Sequence, residues 1–286
     1  MRKPFYSAAL CWVLFVTLLV LSCRKQQSGQ PPVSPVSVHL TLGNPSEAVA
    51  DSTIFSNYLM VKPQYALSYN RERGTPNWVS WRLDPSSLGS APRQDNFRPD
   101  LTLPGGWYRV QTSDYTGSGF DRGHNCPSAD RTRTEEDNAA TFLMTNMIPQ
   151  APNNNQTTWA NLESYCRKLV DDGNELYIIM GVAGTGGTGS NGVRTTLAAG
   201  KITVPNRIWK VIVVLPQGTD DLQRVTEATR VIAVNTPNTH TIDADWSRYR
   251  TSVDALETAT GYDLLSALPA RLQASLEARV DNGPAH

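Results

Sequence analysis

The stretch DRGHNCPSADRT, residues 121–132, places His124 between an arginine-glycine pair and an asparagine. Gly123 allows a ligand to approach the backbone closely, and Arg122 and Arg131 supply guanidinium groups of the kind that bind phosphate. A neutral imidazole is a suitable general base for water near pH 7. A histidine in an irregular segment is more often only a hydrogen-bonded surface residue, so the interpretation depends on what lies downstream.

A second polar group of residues follows in NNNQTTWANLESYCR, residues 153–167, where apolar spacing predicts a helix from about 156 to 171. Asn155 precedes this helix and could be its N-cap or an oxygen ligand of a hard cation. Glu163 lies about 80° around the helix from Asn155. Arg167 is one turn beyond Glu163, a spacing that is more often a surface ion pair than part of a catalytic site.

Metal-binding motifs limit the choice of cation. The chain has no HExxH motif, no paired CxxC motifs and no aspartate-rich calcium loop. Zinc is therefore poorly supported, whereas magnesium needs only one or two oxygen ligands from the protein. A zinc site using His124, Cys126, Cys166 or His240 stays as an alternative, which metal analysis of the purified protein would decide.

Overall charge points to no particular partner. The 286 residues carry 26 basic and 26 acidic side chains, and 40% of the residues are hydrophobic, which suits one large domain or two small ones. Without residues 1–22, which include Arg2 and Lys3, 24 basic side chains face 26 acidic ones. Any site for a polyanion must therefore be a local cluster of arginines.

The N-terminus predicts export. A basic head is followed by about fifteen mostly apolar residues, which is typical of a secretory signal peptide over 1–22 and short for a membrane span. The sequence VLSC, ending at Cys23, loosely resembles the cleavage box of bacterial lipoproteins, so Cys23 is either lipidated or close to an ordinary cleavage site. Residues 23–36 are polar and proline-rich and predict a flexible tether. We expect a periplasmic, extracellular or lipid-anchored protein.

Several runs predict secondary structure. Short β-type runs in 58–83 indicate antiparallel strands, and residues 84–119 are irregular in a way that often lines a site. Three buried strands are predicted at 175–181, 208–215 and 230–235, and helices at the start of 134–150, at 252–268 and at 270–280.

The glycine pattern GTGGTG, residues 184–189, follows a predicted strand as a dinucleotide site would. No helical periodicity follows it, and a pyrophosphate site needs a helix N-terminus there. We therefore expect a mobile surface loop.

Three motifs in order, DRGHNCPSADRT, TFLMTNMIPQ and NNQTTWANLESYCR, resemble the DNA/RNA non-specific endonucleases with the ββα-metal finger. The resemblance extends through SYNRERGTPNWVSW, RQDNFRPD, GNELYIIMG and TGYDLL, and is particularly marked to the secreted sugar-nonspecific nucleases of cyanobacteria. It covers residues 37–281 as a single nuclease domain, with 282–286 as a tail. It implies an α+β fold with a central, mostly antiparallel sheet flanked by helices.

The resemblance also implies roles for individual residues. His124 matches the general base, Asn155 the direct ligand of Mg²⁺ or Mn²⁺, and Glu163 the carboxylate that holds metal-bound waters. Arg93 matches the arginine that stabilises the transition state at the scissile phosphate. Arg122 and Arg167 match further positively charged members of the site, Asp121 is expected to orient the loop, and Asn146 to be a structural polar residue.

The implied substrates are DNA and RNA, cut with little sequence or sugar specificity to leave 5′-phosphate ends. Some relatives are held in check by a dedicated protein inhibitor, so such a partner is possible here. The alternative is a surface-anchored lipoprotein that binds nucleic acid on an inactive nuclease fold. Incubation of plasmid with magnesium, with and without a chelator, would separate the two.

Two cysteines lie in the predicted domain, Cys126 and Cys166. An exported protein can keep a disulfide, but Cys166 lies eleven residues beyond Asn155, about 16 Å along the helix. Cys166 also falls on the apolar stripe of that helix, where a buried thiol is an ordinary core residue. We therefore expect two free or buried thiols.

Overall fold

The computed structural model describes Met1 and residues 37–285, and residues 37–285 belong to one compact unit. The expected signal peptide and tether, including Cys23, lie outside the described residues apart from Met1. Within the described part of the chain, no helix has both the length and the apolar character that a membrane span requires.

A seven-stranded sheet forms the centre of the domain. The strands of the described residues are β1 (Tyr58–Val61), β2 (Ala66–Asn70), β3 (Thr75–Leu83), β4 (Asp121–His124), β5 (Met147–Gln150), β6 (Asn174–Ala183), β7 (Gly187–Gly189), β8 (Gly192–Arg194), β9 (Thr196–Leu197), β10 (Ile202–Thr203), β11 (Arg207–Pro216), β12 (Arg230–Pro237) and β13 (Arg250–Thr251). The order in the central sheet is β1-β2-β3-β6-β11-β12-β13. Every neighbouring pair of strands in this sheet is antiparallel, which confirms the predicted architecture.

The helices of the domain are short. They are α1 (Glu135–Ala140), α2 (Ala160–Asp171), α3 (Asp221–Arg224), α4 (Val253–Thr260) and α5 (Ala270–Glu277), and a π-helical turn, Asn154–Trp159, leads directly into α2. Single 3₁₀ turns occupy Val38–Leu40, Pro85–Ser87, Thr112–Tyr115, Ser128–Asp130, Met144–Asn146, Ala198–Gly200 and Trp246–Tyr249.

The central strands are continuous apolar runs because both faces of the sheet are covered. Along β6, Ile178 and Met180 belong to one hydrophobic core, and Ile179 belongs to the other. The first core contains Trp159 and Leu162 of the α2 region, while the second contains apolar residues of α4 and α5. Because successive side chains of a strand point to opposite faces, one face of the sheet packs against α2 and the other packs against α4 and α5.

Helix boundaries agree with the prediction in part. Thr134 caps α1 by accepting a hydrogen bond from the Asp137 amide, as expected. The helix predicted over 252–268 ends at Thr260, because Gly261 adopts a left-handed conformation with φ of 75°. The helix predicted over 270–280 ends at Glu277.

The GTGGTG stretch forms a β-hairpin in place of the expected mobile loop. Gly187–Gly189 pairs with Gly192–Arg194. The dinucleotide interpretation would require a helix directly after the glycine stretch, and this part of the chain forms strands there. Gly187 and Gly189 are buried, and a Cβ on Gly189 would lie 2.3 Å from the Gly119 carbonyl oxygen. These glycines therefore allow close packing against a neighbouring loop.

The C-terminal residues, expected as a tail from 282, contact the domain. The Pro284 carbonyl accepts hydrogen bonds from Tyr165 Oη and Arg230 Nη2 at 2.7 Å each. The expected domain boundary at 281 stays a prediction, but residues 283–285 are held against the α2 face.

Both cysteines of the domain are buried and free, as predicted. Burial raises the pKa of each thiol to about 12. In a chain lacking residues 1–23, we expect neither thiol to react with a disulfide reagent at pH 8 in the native state. Both should react after denaturation without reductant, and a count of zero in the denatured protein would mean that a disulfide exists.

Candidate active site

Two strands and a helix bring the DRGH stretch next to the asparagine-rich helix start. Strand β4 pairs with β5 in antiparallel register, so that His124 lies opposite Met147 and Asp121 lies opposite Gln150. The chain then turns through the π-helical segment into α2. This β4-β5-α2 arrangement is the ββα unit that the resemblance implied.

Gly123 has a structural role that differs from the one expected. A Cβ at this position would lie 2.3 Å from Gln150 Oε1 and 2.6 Å from Gln150 Cβ. Glycine is therefore required for β4 to pack against the buried Gln150 side chain. The sequence suggested that Gly123 lets a ligand approach the backbone, but in the structure Gly123 makes room for the Gln150 side chain.

Asn155 is not an N-cap, contrary to the first of its two expected roles. It lies inside the π-helical turn, and its Nδ2 donates a hydrogen bond of 2.8 Å to Asp121 Oδ2. Gln156 Nε2 donates to the same oxygen at 2.8 Å. Because the amide nitrogen is engaged by Asp121, the opposite amide atom, Oδ1, is the one free to bind a ligand. Such π-helical turns are frequent at functional sites.

The two asparagines before Asn155 fasten this turn to the sheet. Buried Asn154 donates to Thr236 Oγ1 at 3.0 Å and to the Pro237 carbonyl at 2.9 Å, while Asn153 donates to the His240 carbonyl at 2.7 Å. Each of the three consecutive asparagines thus donates to different acceptors, and only Asn155 is directed to β4.

A cleft of about 580 Å³ opens between the ββα unit and the irregular segment 84–119. Six of the seven side chains expected in the site line it: Arg93, Asp121, Arg122, His124, Asn155 and Glu163. Further lining residues come from the irregular segment, among them Asp95, Phe97, Thr112 and Tyr115. The expectation that this segment lines a site is confirmed.

His124 is half-buried between two aromatic rings. Its ring centroid lies 5.4 Å from that of Phe97 and 4.9 Å from that of Phe142. Nε2 is shielded from solvent and has no hydrogen-bond partner among the described residues. Burial, followed by the positive charges of Arg93 and Arg122, lowers the pKa of His124 to about 3. The imidazole is therefore neutral at physiological pH and able to accept a proton.

The arginines of the cleft are held by different contacts. Arg93 is exposed, donates to Ser128 Oγ at 2.7 Å and to Asp95 at 2.8 Å, and its guanidinium lies 4.9 Å from the centre of the Phe142 ring. Arg122 stacks over Phe97 at 4.3 Å. Both guanidinium groups therefore remain available to an anion in the cleft.

Arg167 does not line the cleft. Its Nη1 donates to Asp130 Oδ1 at 3.0 Å, and Asp130 is buried and also accepts from Trp81 Nε1 at 3.0 Å. The expected role of Arg167 in the site stays a prediction. In this structure, it neutralises a buried carboxylate beneath the cleft.

Glu163 has a neighbour that the sequence analysis missed. Lys210 Nζ lies 3.8 Å from Glu163 Oε1, and Lys210 is fully buried in the middle of β11. Its ammonium group lies 4.7 Å from the Trp159 ring centre and 5.5 Å from that of Trp81. Burial raises the pKa of Glu163 to about 7, an effect that Lys210 opposes. A single lysine in the otherwise apolar run IWKVIVVL is the signal that could have identified it.

Asn146 is structural, as expected. Its side chain accepts from the Cys126 amide at 3.0 Å and donates to the Cys126 and Thr141 carbonyls at 2.9 and 2.8 Å. It therefore fixes the backbone just after His124.

The residues of the zinc alternative do not come together. In the part of the chain that the structure describes, one group of three or more potential ligands lies close enough to share an ion, and it consists of Asp254, Glu257 and Glu277. A zinc site built from His124, Cys126, Cys166 and His240 therefore finds no support.

The antiparallel sheet and the ββα unit define a fold of the ββα-metal class. Residues 42–271 match the family of DNA/RNA non-specific endonucleases, and the chain belongs to that family. It is therefore a nuclease, and its family is metal-dependent. The membership predicted from the motifs is confirmed.

Individual relatives agree. The chain is 55% identical over 274 residues to the nuclease of Nostoc sp. (strain PCC 7120 / SAG 25.82 / UTEX 2576), covering 94% of this chain and 97% of the relative. It is 28% identical to human mitochondrial endonuclease G, over 71% of this chain and 68% of that protein. A solved chain from the EndoG/EndoGI inhibition complex aligns with a TM-score of 0.67 at 21% identity, covering 85% of this chain and 96% of that one, and shows the shared fold.

Proposed function

We propose that the protein is an exported, magnesium- or manganese-dependent endonuclease that hydrolyses DNA and RNA with little sequence or sugar specificity, leaving 5′-phosphate ends. The observation that carries this proposal is the meeting of His124, Asn155, Glu163 and Arg93 in one cleft. A neutral base, oxygen ligands and guanidinium groups are the components that phosphodiester hydrolysis needs.

His124 is the proposed general base. Its neutral imidazole takes a proton from a water molecule, which attacks phosphorus. The bond between phosphorus and the 3′ oxygen breaks, and the leaving 3′ oxygen takes up a proton from solvent. The rings of Phe97 and Phe142 limit how the imidazole can turn, and the hydrogen bonds of Asn146 hold the backbone that follows. The base is therefore positioned before substrate binds, which lowers the cost of reaching the reactive geometry.

Asn155 and Glu163 fit a hard cation. Asn155 offers a free amide oxygen whose orientation is set by Asp121, and Glu163 offers a carboxylate that could hold metal-bound waters. When bound, Mg²⁺ or Mn²⁺ would act as a Lewis acid that neutralises charge on the phosphodiester. Asp121 is thus a positioning residue, and its proposed effect runs through Asn155.

Arg93 and Arg122 bind the phosphate in this account. Arg93 is oriented by Ser128 and Asp95, and it can stabilise charge that grows on the phosphoryl oxygens. The contacts proposed here are with the phosphate alone, so neither base sequence nor the 2′ position is read. This supports cleavage of both DNA and RNA.

Export, lipidation of Cys23 and control by a protein inhibitor remain proposals of the same kind. Export rests on the apolar leader at 1–22, and the lipid anchor on the VLSC sequence. Control by a protein inhibitor is supported by the EndoG/EndoGI inhibition complex, a chain of which has the same fold.

Digestion of supercoiled plasmid tests the activity directly. We expect cleavage to nicked, linear and then short products with Mg²⁺ or Mn²⁺, and none in the presence of a chelator. An inactive protein that retards plasmid on a gel without cutting it would support the nucleic-acid-binding alternative.

Lys210 provides a test of the proposed role of Glu163. Because Lys210 opposes the rise in the Glu163 pKa, Lys210→Met should raise that pKa further. As the pH falls, Glu163 of the variant should become protonated at a higher pH than Glu163 of the wild type. The Mg²⁺ concentration needed for half-maximal activity should therefore begin to rise at a higher pH in the variant. The difference between the two proteins should shrink as the pH rises towards 9, because a larger share of Glu163 is then ionised in each.

The matched control is Lys168→Met, which removes an exposed lysine paired with Asp172 on the same helix. It should leave the pH dependence of the metal requirement unchanged. If Lys210→Met behaves like this control across pH 5–9, Lys210 does not act through Glu163.

A further inference from the structure

Three carboxylates meet where α4 contacts α5. Asp254 and Glu257 lie one turn apart on α4, and Glu277 is the last residue of α5. One carboxylate oxygen from each residue lies within 4.8 Å of the others. Both helices pack on the face of the sheet opposite α2, and none of the three residues lines the cleft.

Glu277 makes this cluster more than a group of surface acids. Its side chain is buried, with the residue only 5% exposed, and its Oε1 has no hydrogen-bond partner within residues 37–285. An ionised carboxylate in such a position is costly unless an opposite charge accompanies it. Burial and the negative charges of Glu257, Asp263 and Asp254 raise the pKa of Glu277 to about 7.

No basic side chain supplies that opposite charge. Among the described residues, none of the three carboxylates forms a salt bridge with lysine, arginine or histidine. Glu257 Oε1 accepts a hydrogen bond of 2.8 Å from the Leu264 amide, while Asp254 is exposed. The cluster therefore combines one fixed carboxylate, one solvent-facing carboxylate and one that is buried and unpartnered.

We propose that Asp254, Glu257 and Glu277 form a second, structural site for a divalent cation, and that the cation is Ca²⁺. Carboxylate oxygens are the ligands of hard cations, and water would complete the coordination. The three carboxylate oxygens lie within 4.8 Å of one another, so they can share one ion. Ca²⁺ accepts about six to eight oxygens in flexible geometry, whereas Mg²⁺ demands a near-ideal octahedron. Carboxylates fixed on two separate helices therefore suit calcium better than magnesium.

A cation at this site would fasten the end of α5 to the start of α4. The chain after α5 reaches Asp281, which bonds Arg230 of β12 through two hydrogen bonds of 2.8 and 2.9 Å. The C-terminal segment would thus be attached to the domain at both ends. The expected consequence is greater thermal stability in calcium, by a route separate from catalysis.

Thermal unfolding of the full-length chain at pH 8 tests this proposal. The Asn155→Ala background is used, because it removes the proposed ligand of the catalytic metal. We expect Ca²⁺ at about a hundred times its Kd to raise Tm by about 5 °C, and the same concentration of Mg²⁺ to raise it less. Glu277→Gln and Asp254→Asn, each in this background, should abolish most of the calcium shift.

The control Glu72→Gln removes an exposed acid in the turn between β2 and β3 and should keep the full shift. Without calcium, Glu277→Gln should be at least as stable as its parent, because a buried charge without a counter-ion is gone. If Glu277→Gln does not fold, the exposed Asp254→Asn still gives the answer. A calcium shift that is missing in the parent, or equal in all variants, would overturn the proposal, and an equal response to Mg²⁺ would overturn the assignment to calcium.

Discussion

His124→Ala should cut plasmid about 10³–10⁴-fold more slowly than the wild type under saturating Mg²⁺, while the protein stays folded. Removal of a general base typically costs about 10²–10⁴-fold, and among the described residues no histidine other than His124 lines the cleft. The fold should survive because Nε2 of His124 has no hydrogen-bond partner in the described part of the protein. The measurements are the initial rate of cleavage and Tm.

Two further experiments test whether His124 acts in proton transfer. Imidazole in the buffer should partly restore the activity of His124→Ala, because a small base can enter the open cleft. His240→Ala is the matched control and should keep wild-type activity. A wild-type-like rate in His124→Ala would remove this histidine from the mechanism.

Asn155→Ala should lose metal-supported activity by a factor of about 10² or more. The amide oxygen would be missing from the proposed cation site, and ligand or outer-shell losses commonly cost this much. The N-cap interpretation would have added a stability cost of about 1 kcal/mol. Since Asn155 lies inside the helical turn, the expected cost is that of one part-buried hydrogen bond to Asp121, also about 1 kcal/mol or less.

The effect on metal binding distinguishes a ligand from a structural residue. In Asn155→Ala, Mg²⁺ should stabilise the protein less than in the wild type, and the Mg²⁺ concentration for half-maximal activity should rise. Asn153→Ala, which removes an exposed asparagine bound to the His240 carbonyl, should keep both properties. An unchanged metal requirement in Asn155→Ala would leave Asn155 with a structural role alone.

The sheet could be predicted from the sequence because its strands are long apolar runs. Strands β6, β11 and β12 each contain a run that has no other reasonable interpretation, and their burial on both faces explains why they lack alternation with polar residues. The helix over 252–268 was predicted too long, because Gly261 stops it while apolar residues continue to Leu268. Apolar periodicity alone does not show where a left-handed glycine ends a helix.

The sequence predicts which residues belong to the site, but not how they are arranged in space. The motifs identify His124 and Asn155, whereas apolar periodicity does not distinguish the π-helical turn that directs Asn155 to Asp121 from an ordinary α-helix. Lys210 and Asp130 were missed for a different reason. Their partners, Glu163 and Arg167, are 47 and 37 positions away in the sequence, so only the packing of α2 on the sheet brings them together.

The proposed function is tested by comparing a DNA and an RNA oligonucleotide of the same sequence in one Mg²⁺ titration, with the ends of the products identified. We expect cleavage of both, the same half-maximal Mg²⁺ concentration for both, 5′-phosphate ends, and no products after chelation. Cleavage that continues in the chelator, or cleavage of only one of the two nucleic acids, would refute the proposed function.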